Sequence, residues 1–226
     1  MQGVLETLLP NLITRVPEFM ESIADTVTMV LISGAISFVL GLFFGIAVTV
    51  TRRGGVLECP PLFHFLDKAI NILRSVPFII LLTAVLPLTR AIVHTAIGVK
   101  GAIVPLVCGT VPFFSRQIQS ALDEVNPGVI EAAQAMGLSP MAIIFKVYLK
   151  EGIPTIARAT TLTGISLVGL TAMAGAVGAG GLGDFAIRLG HNRYMEDITW
   201  VTVITIMILV SIIQLIGDTV VRRHTR

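Results

Sequence analysis

The residue types able to do chemistry are few in this chain and poorly placed for catalysis. His64, His94, His191 and His224 are scattered without metal-ligand spacing, and no paired carboxylates fall within the apolar runs. Cys59 and Cys108 make no disulfide framework, and both thiols are expected to be free. There is no Gly-x-x-x-x-Gly-Lys-Ser/Thr phosphate loop. Gly178, Gly180 and Gly183 do fit Gly-x-Gly-x-x-Gly, but they follow an apolar helix and not a strand, which argues against a dinucleotide site. The pattern reads instead as a flexible glycine-rich segment, residues 175–183: a closing element, a contact for another protein, or an inert loop. No catalytic residue, metal or cofactor is assigned. The remaining candidate is a compact run of small and apolar side chains, Glu131, Ala132, Ala133, Gln134, Ala135, Met136, Gly137 and Leu138, suited to contact with another surface.

The elements that carry this run belong in lipid. Of the 226 residues, 54% are hydrophobic and only 13% charged, with a mean hydropathy of +0.88. So few charges cannot cover a soluble domain of this length. A helix needs roughly 20 apolar residues to cross the hydrocarbon core. Stretches of that kind lie at residues 26–51, 70–88, 102–122, 155–176 and 198–221, so the expected fold is an all-α polytopic bundle of about five spans. Acidic and proline residues interrupt the start of the chain, and no basic region precedes the first apolar run, so a cleavable signal peptide is not expected.

Basic residues concentrate in cytoplasmic loops. One set of loops holds Arg52, Arg53, Lys68, Arg74, Arg116, Lys146, Lys150, Arg158, Arg222, Arg223 and Arg226; the other holds Arg15, Arg90, Lys100, Arg188 and Arg193. The richer set should be cytoplasmic, which places the N-terminus outside and the C-terminus inside. Residues 1–25 then form an extracytoplasmic segment, 26–222 the transmembrane domain, and 223–226 a cytoplasmic tail. Ser37, Gly41 and Gly45 recur every four residues and offer a small-residue stripe for close helix packing within the chain. Pro77, Pro105 and Pro112 are expected to mark kinks or breaks.

The connection 123–154 is long enough to need a structure of its own. Asn126-Pro127 starts a short helix that Gly137 stops; Ser139-Pro140 starts a second that Gly152 can end. Leu122, Val125, Val129, Ala132 and Met136 make an apolar stripe on the first, and Met141, Ile144, Val147 and Tyr148 on the second. The tip lacks the basic residues that phosphate contact demands, so nucleic acid is not an expected partner. Two readings of the tip stand: it docks in a partner's groove, or it packs on its own membrane domain.

Glu131-Ala132-Ala133, followed by Gly137, resembles the loop motif of ATP-binding-cassette importer permeases. That motif continues with isoleucine, a variable residue, leucine and proline, where this chain has Val147, Tyr148, Leu149 and Lys150. Lys150 departs from the pattern and leaves the break after the second helix to Gly152 and Pro154. Asn71 to Leu82, Gly98 to Pro105 and Ala172 to Gly183 look like segments of the methionine-importer permeases within that family, and the likeness covers most of the chain from Thr26 onward.

The resemblance implies a transport subunit, not an enzyme, moving methionine (D or L) across a bacterial cytoplasmic membrane by alternating access. It implies a homodimer, a cytoplasmic ATPase dimer that binds the ATP and Mg, and an extracytoplasmic methionine-binding protein. The first short helix becomes the coupling helix, Glu131 a candidate for capping or pairing, and Met173 a candidate substrate gate. The alternatives are a permease for another amino acid or an ion-coupled carrier; no acidic side chain sits at a predicted mid-membrane position to relay protons.

Overall fold

The computed structural model describes residues 9–224. The rest of the 1–25 segment's start, and Thr225 and Arg226 of the tail, lie outside the described residues. Every regular element among the described residues is helical. They run α1 (Pro10–Ile13), α2 (Val16–Thr51), α3 (Pro60–Ser75), α4 (Phe78–Ala84), α5 (Leu86–Val93), α6 (Gly98–Asp123), α7 (Pro127–Ala135), α8 (Pro140–Ile143), α9 (Leu149–Glu151), α10 (Ile153–Ala174), α11 (Gly181–Phe185) and α12 (Glu196–His224). Wider π turns bridge α8 to α9 (Ile144–Tyr148), α10 to α11 (Gly175–Ala179) and follow α11 (Ala186–His191).

Among the described residues, 4 helices are long and apolar enough to cross a membrane: Val16–Thr51, Gly98–Asp123, Ile153–Ala179 and Glu196–His224. This is a multi-pass membrane protein. The span expected over 70–88 is not one helix. It falls across α3, α4 and α5, because Val76 before Pro77 is extended at φ −81°, ψ 122°, as a residue preceding proline prefers. Pro105 and Pro112, expected as breaks, lie inside the uninterrupted α6. Each removes one backbone donor, a loss that helices packed in apolar surroundings tolerate. Helix α2 has 36 residues, about 54 Å of helix against a hydrocarbon core of about 30 Å. It therefore runs without a break through position 25, where an apolar count starts the span.

The chain divides into two compact units. One comprises the described residues up to Ala35, with Pro77–Val107 and Gly164–Ile213. Met29, Leu106, Leu167 and Ala174 form one of its cores, and Leu12, Phe185, Leu189 and Ile198 another. Asp197 ties α1 to α12 by accepting from the backbone N–H groups of Asn11 (2.9 Å) and Leu12 (3.2 Å). The glycine-rich segment lies here and reverses the chain, close-packed at Gly175 and Gly183 and exposed at Ala176, Val177 and Gly178. A Cβ on Gly183 would stand 2.2 Å from Ala172 O, and one on Gly175 2.6 Å from Asp184 N. The Leu182 N–H donates to buried Thr26 Oγ1 at 2.8 Å, and Gly178, Gly180 and Gly181 have φ of +95°, +82° and +77°. Such angles and approaches admit glycine and little else. Beyond the turn, Arg188 donates to Asp184 at 2.9 Å and to Glu18 at 3.3 Å; the Asp184 bond leads in holding its guanidinium above the ordinary arginine range.

The other unit comprises Ile36–Val76, Cys108–Thr163 and the chain from Gln214 on. The Ser37, Gly41, Gly45 stripe of α2 packs here on α6, within the chain, as the spacing predicts. A Cβ on Gly41 would meet Phe114 Cδ1 at 2.5 Å, so glycine is what allows the two backbones to approach. The core around Phe114, Ile118 and Leu122 continues without a gap into the connection 123–154.

Candidate functional site

The connection 123–154 is built by local signals that the structure realises one by one. Asn126 caps α7 by accepting from the Gly128 N–H at 2.8 Å, with Pro127 in the first turn. The other end closes as a Schellman motif: the Leu138 N–H donates to Ala133 O at 3.1 Å and the Gly137 N–H to Gln134 O at 2.9 Å. Gly137 takes φ +75° in that turn, with open space where a Cβ would stand. Its glycine is thus required by backbone angle and not by crowding. Ser139 then caps α8 by accepting from the Ala142 N–H at 3.3 Å.

Lys150, standing where a proline was expected, lies in α9, and Gly152 joins α9 to α10 with a single residue between them. A Cβ on Gly152 would press within 2.7 Å of Tyr148 O and 3.1 Å of Leu122 Cδ2. The break is therefore slight, and the glycine serves a close approach.

Burial divides the expected apolar stripes. Leu122, Val125, Ile143, Ile144, Val147 and Tyr148 are buried, and Ala133 is only 2% exposed. Val129, Ala132, Met136 and Met141 face outward, with Met136 at 72% exposure. The stripe drawn from Leu122 to Met136 assumed one continuous helix. Asp123 ends α6 and Pro127 starts α7, so the angular phase is reset between them. In the second stripe, the π turn Ile144–Tyr148 adds a residue to the helical repeat. Ile143, just before that turn, lies in the core, and Met141 is outside.

Two polar ties at this end of the molecule escaped the sequence reading. Arg52 pairs with Asp123 across 71 positions, at the root of the connection. Arg116 Nη2 donates to Asp67 Oδ1 at 2.7 Å and to Asn71 Oδ1 at 2.8 Å, while Nη1 donates to Gln119 at 2.5 Å. Near the first pair, burial pushes the Tyr148 phenol above its ordinary range against the opposing pull of Arg52. The hydroxyl stays neutral well past physiological pH. No periodicity signals either tie.

Of the candidate residues, Glu131, Ala132, Gln134, Ala135, Met136 and Gly137 are exposed together on and just after α7, Leu138 is half-buried, and Ala133 turns into the core. Glu131 has neither the cap nor the ion pair expected of it among the described residues. Met173 is not part of this cluster. It lies on α10 in the other compact unit, 43% exposed. Among the described residues no group of His, Cys, Asp and Glu could hold a metal ion. The site is thus a helix capped at both ends, a knob with an outward apolar face and Ala133 anchored in the core.

A helical membrane domain carrying such a knob defines a class: the chain belongs to the family of binding-protein-dependent transport system inner membrane components, which it matches over residues 37–226. It is 51% identical over 199 residues to the probable D-methionine transport system permease protein MetI of Vibrio cholerae, covering 88% of each chain. It is 41% identical over 169 residues to the methionine import system permease protein MetP of Bacillus subtilis, covering 75% of this chain and 76% of that one. Among solved structures, an inward-facing MetNI methionine ABC transporter superposes with a TM-score of 0.92 at 42% identity, covering 94% of this chain and 99% of the other.

Proposed function

We propose that this chain is the permease subunit of an ATP-driven methionine importer in a bacterial cytoplasmic membrane, working as a homodimer. The observation that carries the reading is the knob. A capped helix held by its core side presents Val129, Ala132 and Met136 outward, with Met141 beside them. An apolar face of that kind on a rigid mount fits insertion into a groove of a cytoplasmic ATPase dimer. Methionine as cargo is supported by the relatives, whose names assign them methionine transport.

In this reading the ATPase binds ATP and Mg, and a binding protein delivers substrate from outside. The chain crosses the membrane five times, α3 to α5 together making the second crossing, with its C-terminus inside. ATP binding draws the paired ATPase subunits together, and each carries a knob with it. The Schellman turn and the shared core around Ile118, Leu122 and Tyr148 make the displacement a rigid one for α6 and α10. Switching follows only because the ATPase binds the inward- and outward-open states with different free energies.

The test is uptake of radiolabelled methionine by cells lacking the gene, complemented with wild type or Gly137→Asp at equal membrane abundance. Wild type restores uptake and the variant does not, while the wild-type protein copurifies with an ATPase. Restoration of uptake for a different amino acid only, or uptake independent of ATP, would overturn the assignment.

A further inference from the structure

A cleft of about 160 Å³ opens between the end of α6 and the start of α10, and it includes Glu124 and Arg158 in its lining. These two side chains carry opposite charges, yet neither has a hydrogen bond or ion pair among the described residues. In the same unit Arg52 pairs with Asp123 and Arg116 with Asp67. The other polar lining groups are neutral. Gln117 and Ser120 come from α6, and Thr155 from α10. Thr155 Oγ1 already donates to Ala121 O at 3.1 Å and lies 3.0 Å from Gly152 O, so toward the cleft it offers a lone pair. Leu162 supplies an apolar wall.

A ligand that suits this lining must bring both signs of charge and a neutral remainder. We propose that the cleft binds an amino-acid zwitterion with an uncharged side chain, its ammonium on Glu124 and its carboxylate on Arg158. A metal ion would face Arg158 as a like charge, and a phosphate would face Glu124 the same way, so neither fits. The volume suits a small organic molecule, since cavities of about 150 Å³ already hold benzene. Charge-assisted hydrogen bonds at both ends give orientation, and Thr155 adds an acceptor for the ammonium. Because α6 enters the knob-bearing connection and α10 leaves it, a bound zwitterion ties the two roots of that connection together. The proposal rests on the importer reading for the identity of the amino acid, and it deepens that reading by giving the cargo a station beside the knob.

The experiment uses the intact transporter, permease with its ATPase, in lipid nanodiscs without nucleotide. Binding of tritiated methionine is measured, with methioninol (no carboxylate) and N-acetylmethionine (no ammonium) as competitors. Arg158→Gln should weaken methionine by about tenfold or more yet leave methioninol unchanged. Glu124→Gln should weaken methionine similarly and leave N-acetylmethionine unchanged. The unaffected analogue in each case shows that the variant is folded. Methionine binding of wild-type strength in both variants overturns the proposal, as does the absence of saturable binding to wild type. Methionine uptake measured in parallel separates the two ideas. Uptake by wild type with unaltered binding in both variants sinks the cleft and leaves the importer; charge-dependent binding without any uptake sinks the importer and leaves the cleft.

Discussion

Gly45 on α2 lies so close to Ile118 on α6 that a Cβ on the glycine would stand 2.6 Å from the isoleucine Cβ and 2.8 Å from Ser115 O. One of those obstacles is backbone and cannot rotate away, so the two helices must part if the site is filled. Gly45→Ala should destabilise the protein by about 1–3 kcal/mol, as overpacking does. Thermal unfolding in detergent checks it. Gly54→Ala is the comparison, since nothing lies within 4 Å there although its φ of +75° still imposes strain. A larger loss at position 54 would mean that the helix contact is not limiting.

Ala132 and Ala133 are neighbours with opposite fates, one exposed and the other 2% exposed. Ala133→Leu should disturb the core around Ile143 and Tyr148 and lower stability by about 1–3 kcal/mol. Ala132→Leu should leave stability within about 0.5 kcal/mol of wild type. The second variant is nonetheless expected to lose uptake and ATPase copurification, because it thickens the face that docks. Ala132→Leu protein that transports normally would remove that face from the coupling account.

Asn126 and Gly137 hold the two ends of α7. Asn126→Ala removes the side-chain acceptor that Gly128 N–H uses, at a cost of about 0.5–2 kcal/mol. Gly137→Ala imposes a left-handed conformation on an L-residue, for about 1–2 kcal/mol. Both should loosen the knob locally, and hydrogen exchange of the α7 amides should rise in each. Unchanged protection would show that the core contacts of Ala133 hold the helix without its caps.

Arg116 and Asp67 are each less than a third exposed and share a 2.7 Å hydrogen bond. Arg116→Gln should cost about 1–3 kcal/mol, since it leaves a carboxylate and two amide oxygens without their charged donor. Asp67→Asn should cost less, and the double variant less than the sum of the two. A double-mutant cycle on unfolding in detergent measures the coupling, and strict additivity would refute the pairing.

What the sequence carried was whatever depends on neighbours in the chain. Composition and long apolar runs announce a helical membrane domain, and Asn126-Pro127, Gly137 and Ser139-Pro140 announce two short helices, because caps and turns are satisfied within a few residues. The four-residue spacing of Ser37, Gly41 and Gly45 likewise names a packing face, although not the helix that fills it.

Only the tertiary structure decided which side of each short helix is outside. Two local departures, the stop between Asp123 and Pro127 and the π turn at Ile144–Tyr148, shift the angular phase of every residue beyond them. A periodic reading groups Met136 with Leu122 and Val125 on one stripe, whereas packing buries Leu122, Val125 and Ala133 and leaves Met136 exposed. The same holds for the polar groups. Arg52 meets Asp123, Arg116 meets Asp67, and Glu124 shares a cleft with Arg158. These encounters arise because helices distant in the chain pack side by side, and charge pairing acts through space without regard to sequence separation.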